Sequence, residues 1–430
     1  MSFISRAWSR LGHQALLRPR TFANPNFIRI PPHEKVEEET LPDYLSARYY
    51  PVRIGEVFVD RYQVVGKLGF GASSTVWLAH DLRYFEPCVP AIRRTNPYSE
   101  YSQHRHVALK VFIRSQALGD CVENEIAMFK RMEQRASSHP GRSAVRTLLD
   151  SFRVHGPEGE HLVLAHPPLW QSVEGAIRRS SPRRLPASGL RFVLKDIFLA
   201  LEYLHDECQI IHTDIKADNI MFGITDFSVF NDFEEQEMND PCPRKELEGR
   251  IIYTSRKIKS PGQIGPPVLC DFGSAVFGGG ENLECVQPNV YRAPEVILRA
   301  PWDHKIDIWN VGCMAWDLYE GNQLFHGIDP EHQAYRRRAH LAEIIALLGL
   351  PPKDLLARGR LARKFFSDEG EFAAGIELPA PKSLEGMEEH LTGDEKRRFL
   401  TFMQKMLQWA PEQRSTAGEL FQDAWLQEQA

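Results

Sequence analysis

The sequence predicts an α+β chain in two parts, a mainly antiparallel β part followed by a mainly helical one. Three observations carry this. Short alternating or apolar runs, punctuated by glycine and proline, recur between Arg61 and Ala165 as strands do. One helical stretch, about Asp120 to Glu133, interrupts them. From Gly189 onward apolar residues fall at helical spacing, beginning with Leu190, Val193, Leu194, Ile197, Leu201 and Leu204.

At 430 residues the chain is long enough for two units with real cores. A hydrophobic content of 43% and a charged content of 25% describe an ordinary globular protein, and the net charge of −5 argues against a general nucleic-acid binder. No apolar run is long enough to span a bilayer. The seven cysteines are scattered, odd in number and without a C-x-x-C pair, which points to reduced thiols and no zinc site.

Residues 1–33 carry Arg6, Arg10, Arg18, Arg20 and Arg29 and no acidic residue. That composition fits a mitochondrial transit peptide, with a basic helix over Ser5 to Leu17, or a disordered basic tail. Glu37-Glu38-Glu39 and Tyr49-Tyr50-Pro51 then read as an extended leader packing on the first part, so that 1–54 precede the folded chain.

Tyr62 to Leu68 alternates like a strand, Gly69 to Val76 makes a tight glycine-rich turn, and a second strand follows to about Ala79. Such a hairpin can lay backbone N–H groups over nucleotide phosphates, because glycine permits close approach. Residues 81–105, broken by Pro87, Pro90 and Pro97, read as an inserted loop. His106 to Phe112 is an apolar strand with Lys110 in its middle, costly to bury unless paired. Glu125 on the following helix is its natural partner, with Phe129 one turn on and facing the core. Strands over Thr147–Val154 and His161–Ala165 lead to His166-Pro167-Pro168-Leu169, where the first part (55–166) gives way to the second (167–428).

After the helix to Asp206 comes Ile211-His212-Thr213-Asp214-Ile215-Lys216-Ala217-Asp218-Asn219-Ile220-Met221. It sets Asp, Lys and Asn at short fixed offsets between an apolar helix and a short apolar strand. Residues 223–267, with Asp232-Phe233-Glu234-Glu235 and then prolines and basic residues, read as a mobile spacer with little regular structure. Val268-Leu269-Cys270 then ends in Asp271-Phe272-Gly273, and Tyr291-Arg292-Ala293-Pro294-Glu295 follows. Glu295 is expected to form a buried bridge with Arg414, and Asp307 to accept backbone hydrogen bonds from the loop around Asp214.

The glycine turn, Lys110, Glu125, the Asp214 loop, Asp271-Phe272-Gly273 and Ala293-Pro294-Glu295 occur in the order of a eukaryotic protein kinase, and the resemblance covers about residues 55–428. Arg292 resembles the CMGC group. Ile211-His212-Thr213-Asp214-Ile215-Lys216, Leu68-Gly69-Phe70-Gly71 with Ser73-Ser74-Thr75-Val76-Trp77, and a spacer between Asn219 and Asp271 resemble the SR-protein kinase family, its shorter fungal members most.

The resemblance implies a bilobal fold that transfers the γ-phosphoryl of ATP, with Mg2+, to serine or threonine in protein substrates. Those substrates would be Arg/Ser-rich splicing factors. Asp214 would be the base, Lys216 would offset phosphoryl charge, and Lys110 with Glu125 would hold the α/β-phosphates. Leu68, Gly69, Gly71, Ser74, Val76, Ala108, Pro167, Leu169 and Met221 would surround the nucleotide. Asn219 and Asp271 would hold magnesium. The resemblance further implies a monomer in cytoplasm and nucleus.

Some residues depart from the family pattern. Ser74 replaces the third glycine, and Pro288 stands where many relatives carry a Thr that contacts the base. Arg336-Arg337-Arg338 replaces an acidic segment and would repel an arginine-rich ligand. Thr213 replaces an Arg that needs a phosphate partner, which predicts activity without activation-loop phosphorylation. The alternative to an enzyme is a catalytically weak pseudokinase or scaffold. Pro167, Pro168, Pro288 and the insertions motivate it; intact Lys110, Asp214, Asn219 and Asp271 argue against it.

Overall fold

The computed structural model describes residues 17–83, 106–135 and 138–428, the side chains of 116–120 excepted. The insertion expected at 81–105 lies, from residue 84, outside them, as does the basic stretch up to residue 16. The chain forms two compact units. The first contains residues up to 119, 147–169 and 224–263; the second contains 120–146, 170–223 and 264 onward.

The first unit is built on one sheet of β1 (Val57–Phe58), β2 (Tyr62–Phe70), β3 (Ser74–Asp81), β4 (His106–Phe112), β5 (Asp150–Gly156) and β6 (Gly159–His166), in the order β1-β2-β3-β4-β6-β5. Neighbours pair antiparallel, with Val76 opposite Lys110 and Leu78 opposite Ala108. Because side chains alternate along a strand, Trp77, Ala79, Val107, Leu109 and Val111 fall on one face and form the core. Val76, Ala108 and Lys110 share the other.

The stretch expected to be a mobile spacer is instead structured and belongs to this unit. It holds a helix, Ser228–Asn239, and a hairpin of Arg244–Leu247 with Arg250–Tyr253. Cys242 and Tyr253 enter the core, and the Phe233 ring fills the space beside Gly66, where a Cβ would sit 2.8 Å from it. The helix buries Val229, Phe230, Phe233, Glu234 and Glu237, a helical stripe in which two positions are acidic. Those carboxylates are paired: Glu234 with Arg20 at 3.2 Å, and Glu237 with Arg244 at 3.3 Å and Arg256 at 3.0 Å.

Residues 17–33 are likewise no free tail. Leu17 donates to the Leu82 carbonyl, Ile30 to that of Arg244, and the Arg20 amide to Gln63 Oε1. The acidic leader packs as expected. Glu37 and Glu38 hold the buried Lys67 ammonium in β2, which also donates to the Tyr253 carbonyl at 3.2 Å, and Glu39 holds Lys245 at 2.8 Å.

The second unit is mainly helical and is organised around Lys305–Glu320 and Ala187–Glu202. Lys305–Glu320 is apolar nearly all round, so it lies in the core with Trp309 and Trp316 fully enclosed. The predicted bridge is present there. Arg414 grips both Glu295 oxygens at 2.6 and 2.7 Å, and neither side chain is exposed.

The same helix carries Asp317, whose Oδ1 accepts from the Leu324 amide at 2.8 Å. Burial pushes its carboxyl up to about 7, against the lowering effect of hydrogen bonds from Tyr291 and Leu324. A carboxyl raised in the folded state binds more protons folded than unfolded between about pH 4 and its folded value. It therefore adds stability as pH falls below 7 and withdraws it as pH rises through 7. Glu320, also raised to about 7 by burial and Glu388, acts in the same direction. Asp317→Asn is expected to flatten the rise in melting temperature of the wild type from pH 8 to pH 6. An unchanged slope would remove this role from Asp317.

Candidate active site

The first unit supplies a glycine turn and an apolar face. In the turn Gly71 donates to Ser74 at 2.8 Å, and β2 slips register between Lys67 and Gly69. A Cβ built on Gly69 or Gly71 would meet nothing within 4 Å, so the backbone there borders open space that a phosphate chain can enter. Leu68 is half-buried beside the turn, and Ser74, the departure from glycine, is buried in β3. Lys110 is half-buried beside Val76 and Ala108, its ammonium 4.8 Å from the Phe112 ring centroid. At the end of β6, the His166 Nδ1–H donates to the Thr147 carbonyl at 2.8 Å, which gives this histidine a structural role. Pro167 and Leu169 follow, both half-buried.

The second unit supplies the Asp214 loop, and the core helix positions it. Asp307 and Asn310 lie one turn apart on Lys305–Glu320 and so face the same way. Asp307 accepts from the amides of His212 at 2.8 Å and Thr213 at 2.9 Å, as expected, and from His205 Nε2 at 2.9 Å. Burial opposes its ionisation, but these hydrogen bonds and the neighbouring imidazoles outweigh it and hold the carboxyl below its ordinary range. Asn310 donates to the Ile215 carbonyl at 2.5 Å.

These anchors fix an unusual backbone. Thr213 has φ 67°, a conformation that a β-branched residue rarely adopts. Its hydroxyl donates to the Ser274 carbonyl at 2.8 Å, tying this loop to the turn after Asp271. His212 completes a second tie: its Nδ1 accepts from the Asp214 amide at 3.3 Å, and its Nε2–H donates to the Cys270 carbonyl at 3.1 Å. Neither tie was legible in the sequence; both need the loops at 212 and 271 to meet.

At the centre, Asp214 Oδ2 accepts from Lys216 Nζ at 2.7 Å and from Asn219 Nδ2 at 2.9 Å. Among the described residues Oδ1 has no partner. The amide nitrogen of Asn219 is thus committed to Asp214, which leaves its side-chain oxygen available. Asn219 accepts at its backbone carbonyl from Cys270, which precedes Asp271, at 2.8 Å. Asp271 itself has φ 66°, another strained position. Phe272 packs edge-on against Phe129 and His212, with centroids 5.5 and 5.2 Å away. Glu125 is buried, its Oε2 lying 3.8 Å from where a Gly273 Cβ would stand. Met221 bridges to Ser172 after the loop.

So Val76, Ala108 and Lys110 share one face of the first unit, while Asp214, Lys216, Asn219, Asp271 and Glu125 are connected within the second. The oxygen donors of Asn219 and Asp271 suit a hard divalent cation such as Mg2+. Arg292 holds the next segment through the Val286 and Gln287 carbonyls at 3.0 and 3.1 Å and Asn289 Oδ1 at 2.9 Å. That segment, with Pro288, lines a cavity of ≈ 290 Å³ together with Thr213 and Asp214.

Residues 95–255 and 258–426 match the protein kinase domain. A serine/threonine protein kinase of Aspergillus fumigatus is 39% identical over 422 residues, covering 97% of this chain and 98% of the relative. The serine/threonine-protein kinase SRPK of Physarum polycephalum is 29% identical, covering 91% of each. The human SRSF protein kinase 3 is 24% identical, covering 91% of this chain and 90% of the relative.

Proposed function

The chain belongs to the protein kinase family, among SRPK-type serine/threonine kinases, and from that premise we propose that it transfers the γ-phosphoryl of Mg-ATP to serine or threonine hydroxyls of proteins. The observation that carries this reading is the split use of Asp214. Lys216 and Asn219 both bond Oδ2, fixing the carboxylate and leaving Oδ1 to accept a substrate proton. Lys216 is also placed to offset charge on the phosphoryl group in flight. Asn219 Oδ1 and the Asp271 carboxylate would hold magnesium, which would supply positive charge to offset that of the phosphates. Gly69 and Gly71 leave room for the phosphates, Lys110 would pair with them, and Val76 and Ala108 offer an apolar face to adenine.

The test is transfer of radiolabel from Mg-ATP to a general protein substrate, followed by phosphoamino-acid analysis. Phosphoserine or phosphothreonine is expected; label confined to tyrosine would contradict the acceptor assignment. The name of the SRSF protein kinase relative brings splicing-factor substrates to this chain as a second reading.

A further inference from the structure

We propose that Ser181 is a modification site, phosphorylated by a second copy of this chain. The inference rests on the kinase reading above and deepens it, because the segment that carries the acceptor is itself made of arginine and serine. It reads Arg178-Arg179-Ser180-Ser181-Pro182-Arg183-Arg184. It lies in the connection between the helices Val173–Ile177 and Ala187–Glu202, within the second unit.

Every residue from Arg178 to Arg183 is exposed. The two serines are nevertheless not equivalent. Ser180 Oγ lies 2.8 Å from the Ile177 carbonyl oxygen and 2.9 Å from that of Pro182, so its one proton is committed. Ser181 Oγ has no hydrogen-bond partner among the described residues. The arginines divide in the same way. Arg178 pairs with Glu174 at 2.6 Å, and the Arg184 guanidinium lies 5.9 Å from the Tyr319 ring centroid. Among the described residues the side chains of Arg179 and Arg183 have no ion pair, hydrogen bond or ring contact. These two stand two residues before and two residues after Ser181.

The segment is fastened at its ends, where the Arg178 amide donates to the Glu174 carbonyl at 3.0 Å and the Leu185 amide to the Leu318 carbonyl at 2.7 Å. Between them only short-range backbone bonds hold it, such as that from Arg184 to the Pro182 carbonyl at 2.8 Å, and no side chain from 178 to 183 is buried. Opening it therefore uncovers no apolar surface, the condition under which local opening costs little. A short, fastened and outward segment of this kind is presented to another molecule. Ser181 Oγ attacks the γ-phosphorus of ATP held by the second copy, and the bond from that phosphorus to the bridging β-oxygen breaks. ADP leaves, and the Oγ proton passes to Oδ1 of the second copy's Asp214. The phosphate so placed carries close to two negative charges and three acceptor oxygens, which suit the guanidinium forks of Arg179 and Arg183.

The test mixes two full-length, phosphatase-treated chains with Mg-ATP: wild type as donor, and an Asp214→Asn chain of distinguishable mass as acceptor. Phosphopeptide mapping follows the acceptor, and an Arg-Ser repeat peptide is offered to the donor in parallel. Phosphate is expected on Ser181 of the acceptor, absent without the donor and formed at a rate proportional to donor concentration. R179A/R183A in the acceptor should slow that labelling by about tenfold or more, as two charge-assisted contacts of the substrate segment are lost. Ser181→Ala in the donor should leave kcat on the peptide within about twofold, the usual reach of an exposed substitution. Transfer to the Arg-Ser peptide with Ser181 unmodified would overturn the site and leave the kinase intact. Phosphate on Ser181 of the wild type but not of the mixed acceptor would overturn the second copy as donor. A rate unmoved in R179A/R183A would overturn the part given to the arginines. No transfer to any acceptor would remove the kinase reading and this inference with it. A melting temperature within a few degrees of wild type shows that each variant is folded.

Discussion

Asp214→Asn is expected to lower kcat by about 10²–10⁴, the usual worth of a positioned general base, while Mg-ATP affinity stays within about threefold. The carboxylate has two separate tasks. Oδ2 is taken by Lys216 and Asn219, and Oδ1 is the atom that can accept a proton. Asparagine has one acceptor oxygen and one donor nitrogen, so it can keep the anchor or face the acceptor hydroxyl, but not both. The loss corresponds to roughly 3–5 kcal/mol of transition-state stabilisation. Nucleotide affinity is expected to survive because Asp214 is not itself a proposed nucleotide or metal ligand, and an asparagine oxygen at position 214 can still accept from Asn219. Steady-state kinetics with isothermal titration of Mg-ATP read both quantities. A kcat within tenfold of wild type would take the role of base away from Asp214.

The second large effect is on stability. Arg414 places all its N–H donors inside the second unit: on both oxygens of Glu295 and on the carbonyls of Gln408, Lys305 and Trp409. Its guanidinium also lies 5.1 Å from the Trp309 ring centroid. Arg414→Met leaves Glu295 as an unpaired charge in a site closed to water, which typically costs about 3–5 kcal/mol. Arg414→Lys keeps a charge but cannot reproduce the planar fork, so it is expected to recover only part of the loss. At about 2–4 °C per kcal/mol for a unit of this size, Arg414→Met should lower the melting temperature by roughly 6–20 °C. A drop under about 3 °C would mean the bridge is not holding the unit.

The residues that carry chemistry were legible because their identities and offsets are local. Asp214, Lys216 and Asn219 sit within one loop, and Gly69 and Gly71 within one turn. The Asp307 anchor and the Glu295–Arg414 bridge were legible from the resemblance. What the sequence hid is long-range pairing. The helix Ser228–Asn239 reads as a solvated acidic spacer because Glu234 and Glu237 occupy its buried stripe. They are tolerated there only through Arg20, Arg244 and Arg256, which a local reading cannot assign to them. Residues 17–33 read as a basic tail for the converse reason, since Arg20 is one of those partners. The three arginines at 336–338 were read as one repulsive run. The structure separates Arg338, neutralised by Asp329 and Glu331, from Arg336 and Arg337, which have no acidic partner among the described residues.

Thr213 sets the most direct test. Its hydroxyl bonds the Ser274 carbonyl within the unit, so the Asp214 loop is assembled without a buried arginine that would call for a phosphate. The measurement is phosphoryl transfer by bacterially expressed protein, treated with phosphatase and shown by intact mass to carry no phosphate. We predict turnover in the ordinary kinase range, roughly 1–100 per second, changed less than about twofold by the phosphatase. Binding of Mg-ATP with no transfer to any protein or peptide would contradict the account and make the chain a nucleotide-binding scaffold.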